Sequence, residues 1–495
     1  MKQPAALLVL TTAVLTGGSV AEAAPAKPLA DRFVGVQWYG VYLMGRKIGW
    51  TKVTLSRSAD GRTYEALTTL TAQLKGMGKR QEMTIDERRV YTAPDWRLTR
   101  IEATHATGPQ RTVVKAHLEG GGLRLTFTSG GVGRRVALPA PKETLDDLVR
   151  DRLMAADAAV KPGAKTAFHM FEPLRMAEGT WEVSLERREE VVLEGVKTTV
   201  AHVRTVNKAS GERMTSRIAD DGRIIEATVG ANLVQRLEPE DVAKQIEVAV
   251  DPFALASIRL TKELPDATKM TEAVFMISGV DDARFRIESD RQHYASTATP
   301  GTYRLTLRRS SVKAADVVAG PYEDEALKSA LAPTPLVQSD DPRIVRLATS
   351  IVGDETDPLK RVGLIVAWVY KKLKKEYVAA LSSALDVYDS GKGDCTEHSI
   401  LFVALCRAAG IPARQVAGVV HGGGYGGFLY HAWAQVWVGR KWIDVDPTFN
   451  KPLANATHLA FAVGPLEKQS AVVLLIGSVK MRYVSHKEKR AAAGS

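Results

Sequence analysis

Between residue 32 and about residue 250, apolar and charged side chains alternate with a period of two. Val53 and Leu55 run into Asp60-Gly61, and Tyr64, Ala66, Thr68 and Leu70 follow on alternate positions. Two such runs about a turn dipeptide predict a β-hairpin. The same punctuation returns at Glu119-Gly120-Gly121-Gly122, at Glu194-Gly195 and at Asp221-Gly222. Charges on every second position leave one face of each strand wet, which predicts an antiparallel sheet rather than a doubly wound one. Thr144 to Ala159 switches to helical spacing and predicts an amphipathic helix dividing two β-rich halves. Residues 251–311 add short strands, among them Arg284 to Ile287 and Tyr303 to Leu307, with nothing that suggests chemistry. Ala, Pro and acidic residues then mark 312–338 as a linker with at most one short helix. From residue 339 the period is helical. Ser339 or Asp340 can cap a helix with Pro342 in its first turn. Asp357-Pro358 can start a second, with Val362, Ile365, Val366, Val369 and Leu373 on one face. Lys371 to Lys375 is a solvated basic face.

The N-terminus carries a processing signal rather than fold. Lys2, the apolar stretch Ala5 to Leu15 and Ala21-Glu22-Ala23 form a secretory signal pattern, so residues 1–23 are expected to be removed near Ala23 and the protein exported, to the periplasm or the medium. That stretch is too short to span a bilayer, and the mature chain is expected to have no transmembrane segment. The expected organisation is 1–23 signal peptide, 24–250 β-rich region in two halves, 251–311 β-rich middle segment, 312–338 linker, 339–485 α+β domain and 486–495 basic flexible tail. At 495 residues with 25% charged and 45% hydrophobic positions, the chain is neither disordered nor polytopic. Its net charge of +11 is spread along the chain. Such a surface could meet an anionic envelope polymer, but no nucleic-acid motif accompanies it.

Two cysteines in an exported chain invite pairing, yet Cys395 and Cys406 sit on one predicted helix. Eleven residues at about 1.5 Å each separate them by roughly 16 Å, beyond disulfide reach. The helix opens at Gly391-Lys392-Gly393-Asp394-Cys395-Thr396-Glu397-His398, with Asp394 as N-cap, Glu397 completing a capping box, and Gly410 and Pro412 ending it. Cys395 at the first helical position feels the positive end of the helix dipole, which favours a thiolate nucleophile. Cys406, deep in the helix, suits a packing role.

A nucleophilic thiol needs a base and an orienting acid. His431 to Trp437 and Trp442 to Asp446 alternate about Gly439-Arg440, a two-residue turn expected to be of type II′. That loop sets Trp437 opposite Trp442 and Gln435 opposite Asp444. His431, Trp433, Gln435, Asp444 and Asp446 then share a face, with Asp446 diagonal to His431 and Asp444 one pair further away. Asp446 is the better acid, although a slip of one residue would turn a whole strand over. His398, three residues from Cys395, is the rival base, but on the same helix it has little freedom to swing to a leaving group. His421 lies beside the glycine-rich run 422–427, which lacks a phosphate-cradle pattern and is expected as a mobile rim or wide hairpin connection. No zinc spacing and no calcium loop is present, so no metal and no cofactor is expected.

The segments Gly393 to His398, Leu405 to Arg414, His431-Ala432-Trp433, Trp442 to Thr448 and Asn455 to Leu459 together resemble the core of the bacterial transglutaminase-like superfamily, over roughly residues 340–465. The resemblance implies a papain-like α+β core, with the nucleophile at a helix N-terminus packed on an antiparallel sheet. It also implies Cys395 as nucleophile, His431 as base and Asp446 as orienter. Many family members carry Glu where this chain has Gln435, which bears on substrate preference. The implied activity is acyl transfer from a protein or peptide amide through a thioester: an amine acceptor makes a transglutaminase, water a cysteine protease or amidase. Two alternatives remain: a binding or scaffold protein with the same fold, and an envelope-assembly factor whose β-rich N-terminal region captures a partner that the C-terminal domain processes.

Overall fold

The computed structural model describes residues 26–488 apart from 77–78, 109, 130–131, 231, 247–256, 313–319, 321, 377–381, 423–425, 466–468 and 470. The expected signal peptide and residues 489–495 of the expected tail lie outside the described residues. Among the described residues no helix is long and apolar enough to cross a membrane.

The two halves of the N-terminal region share one 14-stranded sheet. Eight strands, β1 (Gly35–Leu43), β2 (Arg46–Arg57), β3 (Thr63–Gly76), β4 (Lys79–Thr92), β5 (Arg97–Thr107), β6 (Gln110–Glu119), β7 (Gly122–Ser129) and β8 (Val132–Pro139), form a meander. Six more complete it: β9 (Lys165–Glu172), β10 (Ala177–Leu193), β11 (Val196–Asn207), β12 (Arg213–Ala219), β13 (Ile224–Val229) and β14 (Leu233–Leu237). β1 pairs with β14 antiparallel, Tyr39 opposite Leu237, so the two halves join in mid-sheet and β8 and β9 are the edges. The expected dividing helix is two short ones, α1 (Leu145–Leu148) and α2 (Arg150–Ala156), broken at Val149. Leu145 and Val149 pack on Leu98, Ile101 and Phe127 of one half, while Met154 and Ala155 pack on Val183, Leu185 and Val203 of the other. The join is pinned by Glu143. Its carboxylate, fully buried, receives Arg89 Nη1 at 2.7 Å, Tyr91 Oη at 2.5 Å and the backbone N–H of Phe171 at 2.6 Å.

The middle segment is woven into the C-terminal unit. Following α3 (Glu240–Ala243), β15 (Ile258–Arg259) pairs with the strand that carries His431. β16 (Met270–Ser278), β17 (Gln292–Ser296) and β18 (Thr302–Arg308) form a four-stranded sheet with the last strand, Lys480–Glu488. That strand runs three residues into the segment expected to be tail. Arg284 to Ile287, expected as a strand, holds a 3-10 turn over Ala283–Phe285, because the Asp282 carboxylate accepts the N–H of Arg284 and caps it. Among the described residues the linker holds one short helix, α4 (Glu325–Ser329).

Then come α5 (Pro342–Val352), α6 (Pro358–Lys372), α7 (Ala384–Ser390) and α8 (Cys395–Ala408). Asp341, rather than Ser339 or Asp340, caps α5. Two-residue strands β19 (Lys374–Lys375) and β20 (Lys392–Gly393) run parallel just before α8. β21 (Ala413–Gly422), β22 (Gly427–Val438), β23 (Lys441–Val445) and β24 (His458–Val463) complete the sheet on which α8 lies, and β25 is the Lys480–Glu488 strand. Ser399 to Cys406 are all buried, as a helix apolar on every side requires. Cys395 and Cys406 are both free thiols.

Candidate active site

Asp394 accepts the N–H of Thr396 while the Glu397 carboxylate accepts the N–H of Asp394 at 3.0 Å, so the capping box that starts α8 is complete. A Cβ on Gly393 would stand 2.1 Å from Cβ of Glu397, so this position must be glycine for the box to close. Cys395 therefore occupies the first helical position. Its thiol, however, is not lowered. Burial pushes it well above the ordinary thiol value, and the carboxylates of Asp394, Glu397 and Asp446 add to that, while the backbone N–H of Ala432 favours the thiolate. The sequence-based expectation of a dipole-stabilised thiolate counts one favourable field and omits burial, which is larger.

His431 comes from β22, and the β22–β23 register is the expected one: Trp437 faces Trp442 and Gln435 faces Asp444. The turn itself differs. Gly439 and Arg440 both have positive φ, +67° and +59°, which makes it type I′ rather than II′. The pairing survives because both types are two-residue loops. β23 ends at Val445, and Asp446 turns under the sheet so that its Oδ2 lies 3.0 Å from His431 Nε2. Its Oδ1 accepts the N–H groups of Thr448 at 2.9 Å and Phe449 at 3.2 Å. Phe449 stacks on His431 with centroids 4.9 Å apart.

The two aspartates have separate tasks. Asp444 accepts Trp433 Nε1 at 2.7 Å, faces Gln435 Nε2 at 3.3 Å and pairs with Arg291 Nη1 at 3.2 Å. Gln435 in turn accepts Arg414 Nε at 2.9 Å. A glutamate at 435 would set a second carboxylate against Asp444, so the amide matches its neighbours. His398 is buried, its Nδ1 2.7 Å from the carbonyl of Asp394. His421 stands apart from the site against Phe428, with centroids 5.7 Å apart. The glycine run is a hairpin connection, with Gly422 opposite Gly427, and 423–425 lie outside the described residues.

Two participants escaped the sequence reading. His458, fully buried at the start of β24, places Nε2 2.9 Å from Asp446 Oδ2 and Nδ1 2.8 Å from Asn455 Oδ1. Asn455 Oδ1 also accepts the N–H of Thr457 at 3.1 Å, which fixes the amide with its oxygen toward the ring. Both ring nitrogens thus face acceptors, and the hydrogen-bond network assigns a proton to each. Burial pulls His458 the other way, down to about 4. Asp446, for its part, is held well below the usual carboxylate range by His431 and His458 although burial opposes it. The hydrogen bonds decide for the imidazolium. Arg291, from the middle segment, donates Nη2 to the carbonyls of Asn455 at 3.0 Å and His458 at 3.2 Å, fixing the loop that carries this ring.

Ligand atoms of His431, Asp446 and His458 lie within 4.8 Å of one another, a spacing a cation could use. All four acceptor sites of Asp446 are already engaged. A metal would have to displace both imidazole N–H bonds, so the donor set fits a hydrogen-bonded acid better than a metal centre.

Residues 345–447 match the family model of the transglutaminase-like superfamily. An uncharacterised protein of Haemophilus influenzae is 37% identical over 91 residues, 17% of this chain and 24% of that protein. The mouse kyphoscoliosis peptidase is 27% identical over 127 residues, 23% of this chain and 19% of that protein. The chain thus spans about a quarter or less of these relatives. Among solved structures, a beta-barrel-like protein of domain of unknown function DUF1849 from Brucella abortus aligns with a TM-score of 0.33 at 12% identity, covering 41% of this chain and 94% of that one. The C-terminal quarter of the chain is a transglutaminase-like domain.

Proposed function

We propose that the domain is a thiol-dependent acyl transferase or hydrolase acting on peptide amides, with Cys395 as nucleophile, His431 as base and Asp446 as its orienter. The observation that carries this reading is the His431–Asp446 hydrogen bond of 3.0 Å, on the strand whose next backbone N–H, that of Ala432, favours the Cys395 thiolate. Because His431 donates from Nε2 to Asp446, its Nδ1 holds the lone pair that takes a proton. At rest the Cys395 sulfur keeps its proton. Sulfur attacks the amide carbon as its proton passes to His431. The imidazolium returns that proton to the departing amine as the C–N bond breaks, leaving a thioester on Cys395. The backbone N–H of Cys395, at a helix start, is one donor for the developing oxyanion. An amine or water then resolves the thioester. The match to a peptidase favours water as acceptor. The N-terminal pattern supports export, with cleavage after Ala23.

The test is intact-protein mass spectrometry of the full mature chain incubated with a peptide library at low temperature, with and without a primary amine. An acyl adduct that maps to Cys395 and is lost in Cys395→Ala and His431→Ala supports the reading. The absence of any adduct, together with Cys395 alkylation only after unfolding, overturns it in favour of a binding role.

A further inference from the structure

A cavity of about 480 Å³ lies between the N-terminal sheet and the transglutaminase-like domain. Its outer wall is the edge strand β8, with Val136 and Leu138, and the β9–β10 turn, with Leu174. Its inner wall is one face of α8, where Thr396, Ile400, Val403 and Arg407 follow at spacings of four, three and four residues. The walls are mainly apolar, and among the described residues that line it there is no aspartate or glutamate.

Three arginines reach this cavity, and their partners differ. Arg175 is neutralised by Glu172 and Glu212. Arg407 has only carbonyls, donating Nε to Ala413 at 3.0 Å and Nη1 to Ala332 at 2.5 Å. Arg414 donates to the Gln435 amide and lies over the Trp442 ring at 3.8 Å. Two guanidiniums in an apolar cavity without a direct carboxylate partner are an anion-binding arrangement. Burial lowers both to about 10, although Asp444, beyond Gln435, favours the Arg414 charge.

We propose that this cavity binds the acyl donor of the transglutaminase-like site, a peptide carrying an apolar side chain and, further along, a carboxylate that meets Arg407 and Arg414. This rests on the acyl-transfer reading only for the place of the reacting amide. The α8 face fixes the scale. From Cys395 to Arg407 is twelve residues, about 18 Å at 1.5 Å per residue. An extended peptide covers that in about five residues at about 3.3 Å each. The N-terminal sheet, by supplying β8, is then a wall of the substrate site.

The test uses the full mature chain with Cys395→Ala, so that binding is read without chemistry. Fluorescein-labelled peptides carry a leucine near a central glutamine amide and either glutamate or glutamine five residues from it, on either side. Fluorescence anisotropy is expected to give at least tenfold tighter binding for one glutamate peptide than for its glutamine twin. Arg407→Gln should erase that preference, and Leu138→Glu, which sets a carboxylate on the opposite wall, should weaken binding at least tenfold. Leu174→Glu repeats the second test at a separate position, with denaturation midpoints confirming folded variants. Equal binding of the glutamate and glutamine peptides, or wild-type affinity in the glutamate variants, overturns the proposal. Tight binding without an acyl adduct on the wild-type enzyme would instead overturn the catalytic reading and leave the cavity assignment standing.

Discussion

Whether hydrogen bonding or burial governs His458 fixes the sign of a pH dependence, and the two outcomes are opposite. Burial, with the pull of Asp446 included, takes the ring from 6.5 to about 4, worth about 3 kcal/mol against the imidazolium at about 1.36 kcal/mol per pH unit. On the other side stands the Nδ1–H bond to Asn455, worth about 1.5–3 kcal/mol when charge-assisted. A neutral ring with its proton on Nε2 keeps the bond to Asp446 Oδ2 at 2.9 Å but sets the Nδ1 lone pair 2.8 Å from Asn455 Oδ1, a repulsion that adds to the lost bond. Together these outweigh burial. A cationic His458 has a folded value above its unfolded one, so its stabilisation is full below about pH 6.5 and is lost as pH rises through the folded value. A His458 ruled by burial does the reverse, costing stability as pH falls from 6.5 toward 4. The assay is urea unfolding of the wild type and His458→Gln from pH 5 to pH 8.5, with the stability difference plotted against pH. The expected result is a wild-type advantage of about 2–4 kcal/mol that is flat from pH 5 to neutrality and shrinks on the alkaline side. An advantage that instead grows from pH 5 to pH 7 would refute the assignment. Two long-range ¹⁵N–¹H correlations on the His458 ring at pH 6.5 would be independent support, and one alone would count against it.

The same network yields further expectations. Asp446→Asn should cost about 3–5 kcal/mol, because it leaves two imidazole N–H groups sharing a weaker acceptor. Since Asp446 is held well below its unfolded value, the stability it adds is present above about pH 4 and lost as pH falls through the folded value, so the wild type should show the steeper acid limb in pH-dependent unfolding. Iodoacetamide should label Cys395 more slowly than a free thiol at pH 7, and its rate should still rise above pH 9; full reactivity at pH 6 would contradict a thiol raised above its ordinary value. Gly393→Ala should lower folded-state stability by about 1 kcal/mol or more through loss of the capping box, read by thermal unfolding, and should lower acyl-enzyme yield in the same preparation. Glu143→Gln, which leaves Arg89 in the N-terminal core with Glu87 as its remaining carboxylate partner, should cost about 3 kcal/mol in urea unfolding.

What the sequence made legible was local, and what it hid came from contacts between distant segments. The pairing of Gln435 with Asp444 could be read in advance because a two-residue turn sets every pair after it. The turn type could not, since glycine first is compatible with both primed forms and only the φ of Arg440 separates them. The Asp394–Glu397 capping box was equally readable, being complete within four residues. The thiol value at Cys395 was not, because the helix start is local while the burial that outweighs it depends on how α8 packs against the sheet. His458 left a trace in Asn455-Ala456-Thr457-His458, where asparagine can capture the N–H two residues on and present its oxygen to the following ring. Arg291 left none: a single arginine in a strand-rich stretch gains meaning only when β17 is brought beside Asp444 and the carbonyls of the His458 loop. The middle segment therefore does more than connect. With its guanidinium 3.2 Å from Asp444 and 3.0 Å from the carbonyl of Asn455, Arg291 ties the neighbour of the proposed acid to the loop whose His458 is hydrogen-bonded to that acid. A fragment limited to residues 345–447 would contain the proposed triad and lack both Arg291 and His458, and the hydrogen bonds described here require it to hold Asp446 less firmly than the full chain does.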